Sequence, residues 1–83
     1  MQSNYKEAAD VLNKAREQFI EIGNRLGAAQ CLRSLGDILY MQDNYKEAVD
    51  VLNNARDQFV EIGSQLGAAQ CSQSLGNIRD AQL

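Results

Sequence analysis

The chain has 83 residues, 45% of them hydrophobic and 23% charged, carries a net charge of −3, and contains no histidine, proline, tryptophan or threonine. The missing histidine removes the usual general base and the commonest metal ligand, and the acidic balance gives no electrostatic footprint for nucleic acid. No charged-then-apolar leader opens the sequence and its apolar runs are short, so neither a signal peptide nor a membrane span is expected.

In chain order, Tyr5, Ala8, Leu12, Ala15, Phe19 and Ile22 recur at alternating spacings of three and four, which places them on one stripe of a helix over about 4–22. Asn4 with Glu7 reads as a capping box at its start, and Gly23 supplies the left-handed residue that follows a helix. A second pattern, over about 25–41, joins Leu32, Leu35, Ile38 and Leu39 to the small residues Ala28, Ala29, Cys31 and Gly36, with Asn24 as its N-cap. Glycine inside a helix costs about 1 kcal/mol against alanine, so Gly36 implies the close approach of another backbone.

The third pattern, over about 44–62, repeats the first: Tyr45, Ala48, Leu52, Ala55, Phe59 and Ile62 form the stripe, Asn44 and Glu47 the capping box, and Gly63 the stop. The fourth, over about 65–81, repeats the second, with Ser64 as its N-cap and Gly76 in the place of Gly36. Residues 1–40 laid over 41–80 without a gap match at 28 positions and differ at twelve. A period of this size is the signature of a solenoid. The connections Gly23-Asn24, Gln42-Asp43 and Gly63-Ser64 are short enough to force antiparallel neighbours. The expected fold is therefore all-α, an α-solenoid of antiparallel helix pairs forming one domain over 1–83. The Gln42-Asp43 connection holds neither glycine nor proline. Its preferred reading is a tight turn with Asp43 or Asn44 left-handed; the other is a straightened segment that fuses two helices and exchanges halves between chains.

The segment Leu32-x-x-Leu35-Gly36-x-x-Leu39, followed by Tyr45, Ala48, Leu52 and Ala55, resembles the tetratricopeptide repeat. Leucines stand where that family has aromatics, the proline is missing, and the period is 40 residues where about 34 is usual. "LGAAQCLRSLGD" is similar to the 40-residue variant of Pins-type scaffold proteins and of fungal arrays attached to nucleotide-binding receptors. The resemblance implies a superhelix whose first-type (A) helices line a concave peptide groove. Helices 25–41 and 65–81 are of that type here, which gives the order B-A-B-A. The implied groove shows Gln30, Arg33, Asp37 and Tyr40, then Gln70, Gln73, Asn77 and Asp80. Chaperone-binding members of the family hold a terminal carboxylate with basic and asparagine side chains. Only Arg33 and Asn77 have that character, and Asp37 and Asp80 would repel an acidic tail, so a mixed polar surface is the better expectation.

The differences between the copies concentrate on the last helix, where Leu32, Arg33, Leu39 and Tyr40 become Ser72, Gln73, Arg79 and Asp80. Positions 32, 36 and 39 share one stripe, so Ser72, Arg79 and Asp80 read as a solvated cap. The first helix shows no matching change. It keeps Tyr5, Ala8, Leu12, Ala15 and Phe19 with no helix before it, and that bare stripe points to a homodimer through helix 4–22 about a two-fold axis.

Chemistry for catalysis is missing. Cys31 and Cys71 read as buried small hydrophobes, too far apart for a disulfide and without a histidine for zinc. Lys6–Asp10, Asp10–Lys14 and Lys46–Asp50 read as solvated i,i+4 pairs, and "IGNRLG" and "IGSQLG" lack the lysine and preceding strand of a phosphate loop. Tyr5 and Tyr45 read as packing residues. The expectation is a non-enzymatic, cytoplasmic scaffold for a peptide or protein partner, with no cofactor, metal, nucleic acid or membrane. The alternative is a self-assembling repeat fragment, excised or designed.

Overall fold

Residues 4–82 are described by the computed structural model, and they form α1 (Asn4–Glu21), α2 (Arg25–Met41), α3 (Tyr45–Glu61) and α4 (Gln65–Gln82), with no strand among them. Successive helices pack antiparallel against one another, and α2 also touches α4.

The three turns share one device. After each helix the chain passes through a left-handed residue: Gly23 (φ 77°), Asp43 (φ 64°) and Gly63 (φ 80°). The next amide then reaches back to the third-last residue of the helix. Asn24 N–H donates to Phe19 O (2.8 Å), Asn44 to Leu39 O (2.9 Å) and Ser64 to Phe59 O (2.8 Å). These bonds and their inner partners (Gly23 to Ile20, Asp43 to Tyr40, Gly63 to Val60) satisfy carbonyls that the helix end would leave orphaned. At the connection without glycine the chain is turned, and Asp43 takes the left-handed position that asparagine and aspartate tolerate best. Its carboxylate accepts a hydrogen bond from the Tyr45 hydroxyl at 3.2 Å.

Asn24 Oδ1 accepts from Gly27 N–H (2.9 Å) and Ser64 Oγ from Gly67 N–H (3.2 Å), so both cap their helices. Asn44 does not form the expected capping box. Its side chain caps no backbone amide, and its own N–H is already committed to Leu39 O, leaving Glu47 to accept from the Asn44 side-chain amide (2.6 Å). Asn4 is itself the first residue of α1, so the cap position of that helix lies outside the described residues.

The core is centred on α3. Phe59 and Ala55 pack with Ala29 and Leu32 of α2 and Cys71 of α4, while Leu52 and Ala48 pack with Ile78 of α4 and the flanking Leu39, Tyr40 and Leu75. Four of the six α3 stripe residues, Ala48, Leu52, Ala55 and Phe59, are at most 1% exposed. Their copies in α1 are identical, yet α1 contains no buried residue. Sequence is held constant between the two helices, so the difference is one of neighbours. α3 lies between α2 and α4, whereas α1 has α2 alone. Ile22, expected on the buried stripe, is 74% exposed, whereas its copy Ile62, in the same place after α3, packs against the Phe59 cluster, so neighbours decide here too.

Glycine makes this packing possible, but by a different route from the one expected at Gly36. A methyl group on Gly36 would lie 2.6 Å from Leu52 Cγ, so a leucine side chain and not a backbone fills the space. At Gly76, its copy in α4, nothing lies within 4 Å. Gly27 and Gly67 do the same for Phe19 and Phe59, whose rings sit where a Cβ would be.

Candidate functional site

α2 and α4 form one layer and α1 and α3 the other; within the second layer the two helices do not approach each other. The α2–α4 layer carries a shallow cleft of about 240 Å³, lined by Asp37, Tyr40 and Met41 of α2 and by Ser74 and Asn77 of α4. Spacings of three and four put each set on a single helix face. Of the groove residues the sequence singles out, the fold brings Asp37, Tyr40 and Asn77 together. Gln30, Gln70, Gln73 and Asp80 are exposed and lie outside this cleft.

Arg33 is committed elsewhere. Its Nη1 donates to Asp37 Oδ2 at 3.1 Å, and both side chains are about 30% exposed, so the pair is partly desolvated. This removes Arg33 as a free clamp for a carboxylate and neutralises Asp37 toward a ligand, leaving the pair as one polar unit on the cleft edge. Tyr40 packs its ring 5.7 Å from that of Tyr45, tilted by 33°, and touches the Leu52 cluster with its apolar face. The Tyr45 phenol is pushed above its ordinary 10.0 by lost hydration first, then by its hydrogen bond to Asp43 and the charge there. Arg79 lies 3.8 Å from Asp80, both largely exposed, as is Ser72. The cleft thus offers an aromatic edge, a thioether, a hydroxyl and an amide beside a neutral ion pair. Such a surface can exchange hydrogen bonds and pack an apolar edge; none of its lining residues is a nucleophile held by a base.

A family model described as the tetratricopeptide repeat matches residues 1–59, from α1 through most of α3. The chain belongs to the tetratricopeptide repeat family. Neither a curated protein nor a solved structure matches it. In tetratricopeptide repeat terms, α2 and α4 are the first-type helices, so the Asp37–Asn77 cleft lies on the layer where the resemblance places a groove.

Two lining residues escape a sequence reading of this repeat. Met41 is four residues after Asp37 and Ser74 three before Asn77, so helical spacing alone would have added both. Val11, 65% exposed, belongs to the bare side of α1; its copy Val51 packs against the Phe59 cluster. It falls off the strict three-and-four stripe, which hid it. The expected Lys6–Asp10, Asp10–Lys14 and Lys46–Asp50 pairs are absent from the ion pairs of the described residues, which are Arg25–Glu61, Arg33–Asp37 and Arg79–Asp80.

Both thiols of this repeat pair are free and buried. Burial is the largest influence and pushes each above the ordinary 9.0; Arg16 opposes it at Cys31, and Arg33 and Arg56 oppose it at Cys71. A folded-state pKa raised above the unfolded one gives stability that is complete below about pH 9 and declines above it, as unfolded chains release protons that folded chains retain. The urea midpoint should therefore fall between about pH 8 and pH 10, and by less in Cys71→Ala. An alkaline slope identical in the two proteins would remove the thiol from this account.

Proposed function

We propose that this chain is a non-enzymatic scaffold that binds a peptide segment of a partner protein along the α2–α4 layer, in a reducing, cytoplasmic setting that suits free Cys31 and Cys71. The observation that carries the reading is the cleft in which Asp37, Tyr40, Met41, Ser74 and Asn77 converge from two first-type helices. With Arg33 held by Asp37, the ligand is a peptide of mixed polar character and not an acidic tail. Peptides selected from a random library against the folded chain should lose at least tenfold in affinity on Asn77→Ala or Tyr40→Ala, with the helical signal unchanged. Binders indifferent to both changes would place the interaction elsewhere.

A second reading rests on α1, whose stripe is identical to a helix that is buried and yet buries nothing itself. We infer that Tyr5, Ala8, Leu12, Ala15 and Phe19, with Val11, pair with the same face of a second copy. The opposite end is a poor partner, because Ser72, Arg79 and Asp80 replace the leucines and tyrosine that α2 uses to receive α3. Two α1 faces meeting about a two-fold axis also close the assembly, where a head-to-tail contact would leave it open. The turned connection at Asp43 favours this surface pairing over exchange of helices. Mass action then makes the urea midpoint rise with chain concentration in the wild type and not in Leu12→Glu.

A further inference from the structure

The α1–α3 layer has an opening of its own, on the other side of the molecule from the groove. The two helices do not touch, and the gap between them, floored by the start of α2, is a cleft of about 360 Å³. Ile20 and Ile62 supply its walls and Ala28 its floor. Arg16 lines the α1 side. It pairs with no carboxylate among the described residues, and its Nε is out of water without a hydrogen-bond acceptor. Arg25 and Glu61 lie across the mouth, 3.3 Å apart and about two-thirds exposed. An ion pair so exposed is weakly held, so Arg25 is free to exchange Glu61 for another carboxylate.

Arg33 Nε is likewise without an acceptor, so what sets this cleft apart is its lining: two isoleucine side chains beside two guanidinium groups, one of which pairs with no carboxylate. The second copy lacks the arrangement: Gln65 stands in the place of Arg25, and Arg56, the copy of Arg16, is exposed. We propose that the first-copy cleft binds an aliphatic carboxylate, with the carboxylate on Arg16 and Arg25 and the branched chain between Ile20 and Ile62. The guanidinium fork matches the two oxygens of a carboxylate. A volume at the small end of ligand pockets suits one branched acyl group and not an extended peptide. A free branched-chain acid and the last residue of a peptide present the same chemistry, and the probes below separate them.

Isovalerate, N-acetyl-leucine and N-acetyl-leucinamide are titrated into the labelled chain up to about 10 mM and followed by amide chemical shifts, for an expected Kd on the order of 1 mM. The amides of Ile20, Ala28 and Ile62 should move with either acid and not with the amide, and Arg16→Gln should weaken binding at least tenfold. Shifts with isovalerate alone identify a free acid, and shifts with N-acetyl-leucine a terminal residue; both support the site. Arg25→Gln, a residue the second copy already carries at this place, should weaken binding too and guards against misfolding of the Arg16 variant. No shift with either acid, equal shifts with the leucinamide, or acid binding indifferent to both substitutions would overturn the proposal.

Discussion

Leu52→Ala is expected to leave the chain largely unfolded, while Leu12→Ala, the same substitution one repeat earlier, is expected to leave it folded. Leu52 is wholly buried, packed between α2 and α4 against Ala48 and Ile78. Removing such a side chain costs about 2–5 kcal/mol, and a core of this size supplies only about 3–5 kcal/mol in all. Leu12 is only half-buried, so its loss in the isolated chain should stay below about 1.5 kcal/mol. Urea unfolding of both proteins at low concentration checks this directly. Equal midpoints would mean that position in the array does not decide what the stripe contributes.

Gly36→Ala and Gly76→Ala should move stability in opposite directions, although they are the same change at the same place in the repeat. At Gly36 the new methyl meets Leu52 Cγ at 2.6 Å, and Leu52, closed in on every side, has no space to give. Overpacking of this kind costs about 1–3 kcal/mol, against a gain of about 1 kcal/mol in helix propensity. At Gly76 no atom lies within 4 Å, so only the propensity gain of up to about 1 kcal/mol is left. A double-mutant cycle sharpens the test. In a Leu52→Ala background, held folded by a stabilising osmolyte such as sucrose with all four proteins measured in the same buffer, the Gly36→Ala methyl enters the space that the leucine vacates, and its penalty should vanish. A penalty that persists without Leu52 would show that the clash is with something else.

These pairs also show what the sequence made legible. The helices and turns follow from local rules: a stripe at three-and-four spacing, a small polar residue before it, and a left-handed residue after it. Gly23 and Gly63 announce their turns, and Asp43 adopts the same conformation without glycine, between Tyr40 and Tyr45, which pack against one core cluster. What the twelve differences between copies imply at the last helix is visible in the sequence as well, since leucines there become serine and arginine.

Partner identity across helices is where sequence reasoning stops. Gly36 signals a close approach, but whether backbone or side chain fills it depends on the register of α3 against α2, which no local pattern sets. The same holds for Gly27 and Gly67, which sit in the first turns of their helices and seat phenylalanine rings. The capping box at Asn44 fails for a related reason. The motif assumes a free backbone N–H at the cap, and the preceding helix has already claimed it. In the groove, Arg33 has the right charge for a clamp, yet Asp37 four residues on takes that charge up. Met41 and Ser74 were within reach of helical spacing; the Arg16 cleft was not, because three helices contribute to it and α1 and α3 do not touch.

The central physical claim is that one stripe of residues is core in α3 and interface in α1. It follows that a chain with a single covered side on α1 should not remain alone once its concentration is high. Covering a Leu or Phe side chain contributes roughly 1.5–3 kcal/mol, so pairing of the bare faces would rival the stability of the isolated fold. Sedimentation equilibrium of the wild-type chain across the micromolar range is the most direct measurement. A reversible monomer–dimer equilibrium that Leu12→Glu abolishes is expected; a single monomeric species at high micromolar concentration would show that the bare α1 stripe is not an interface.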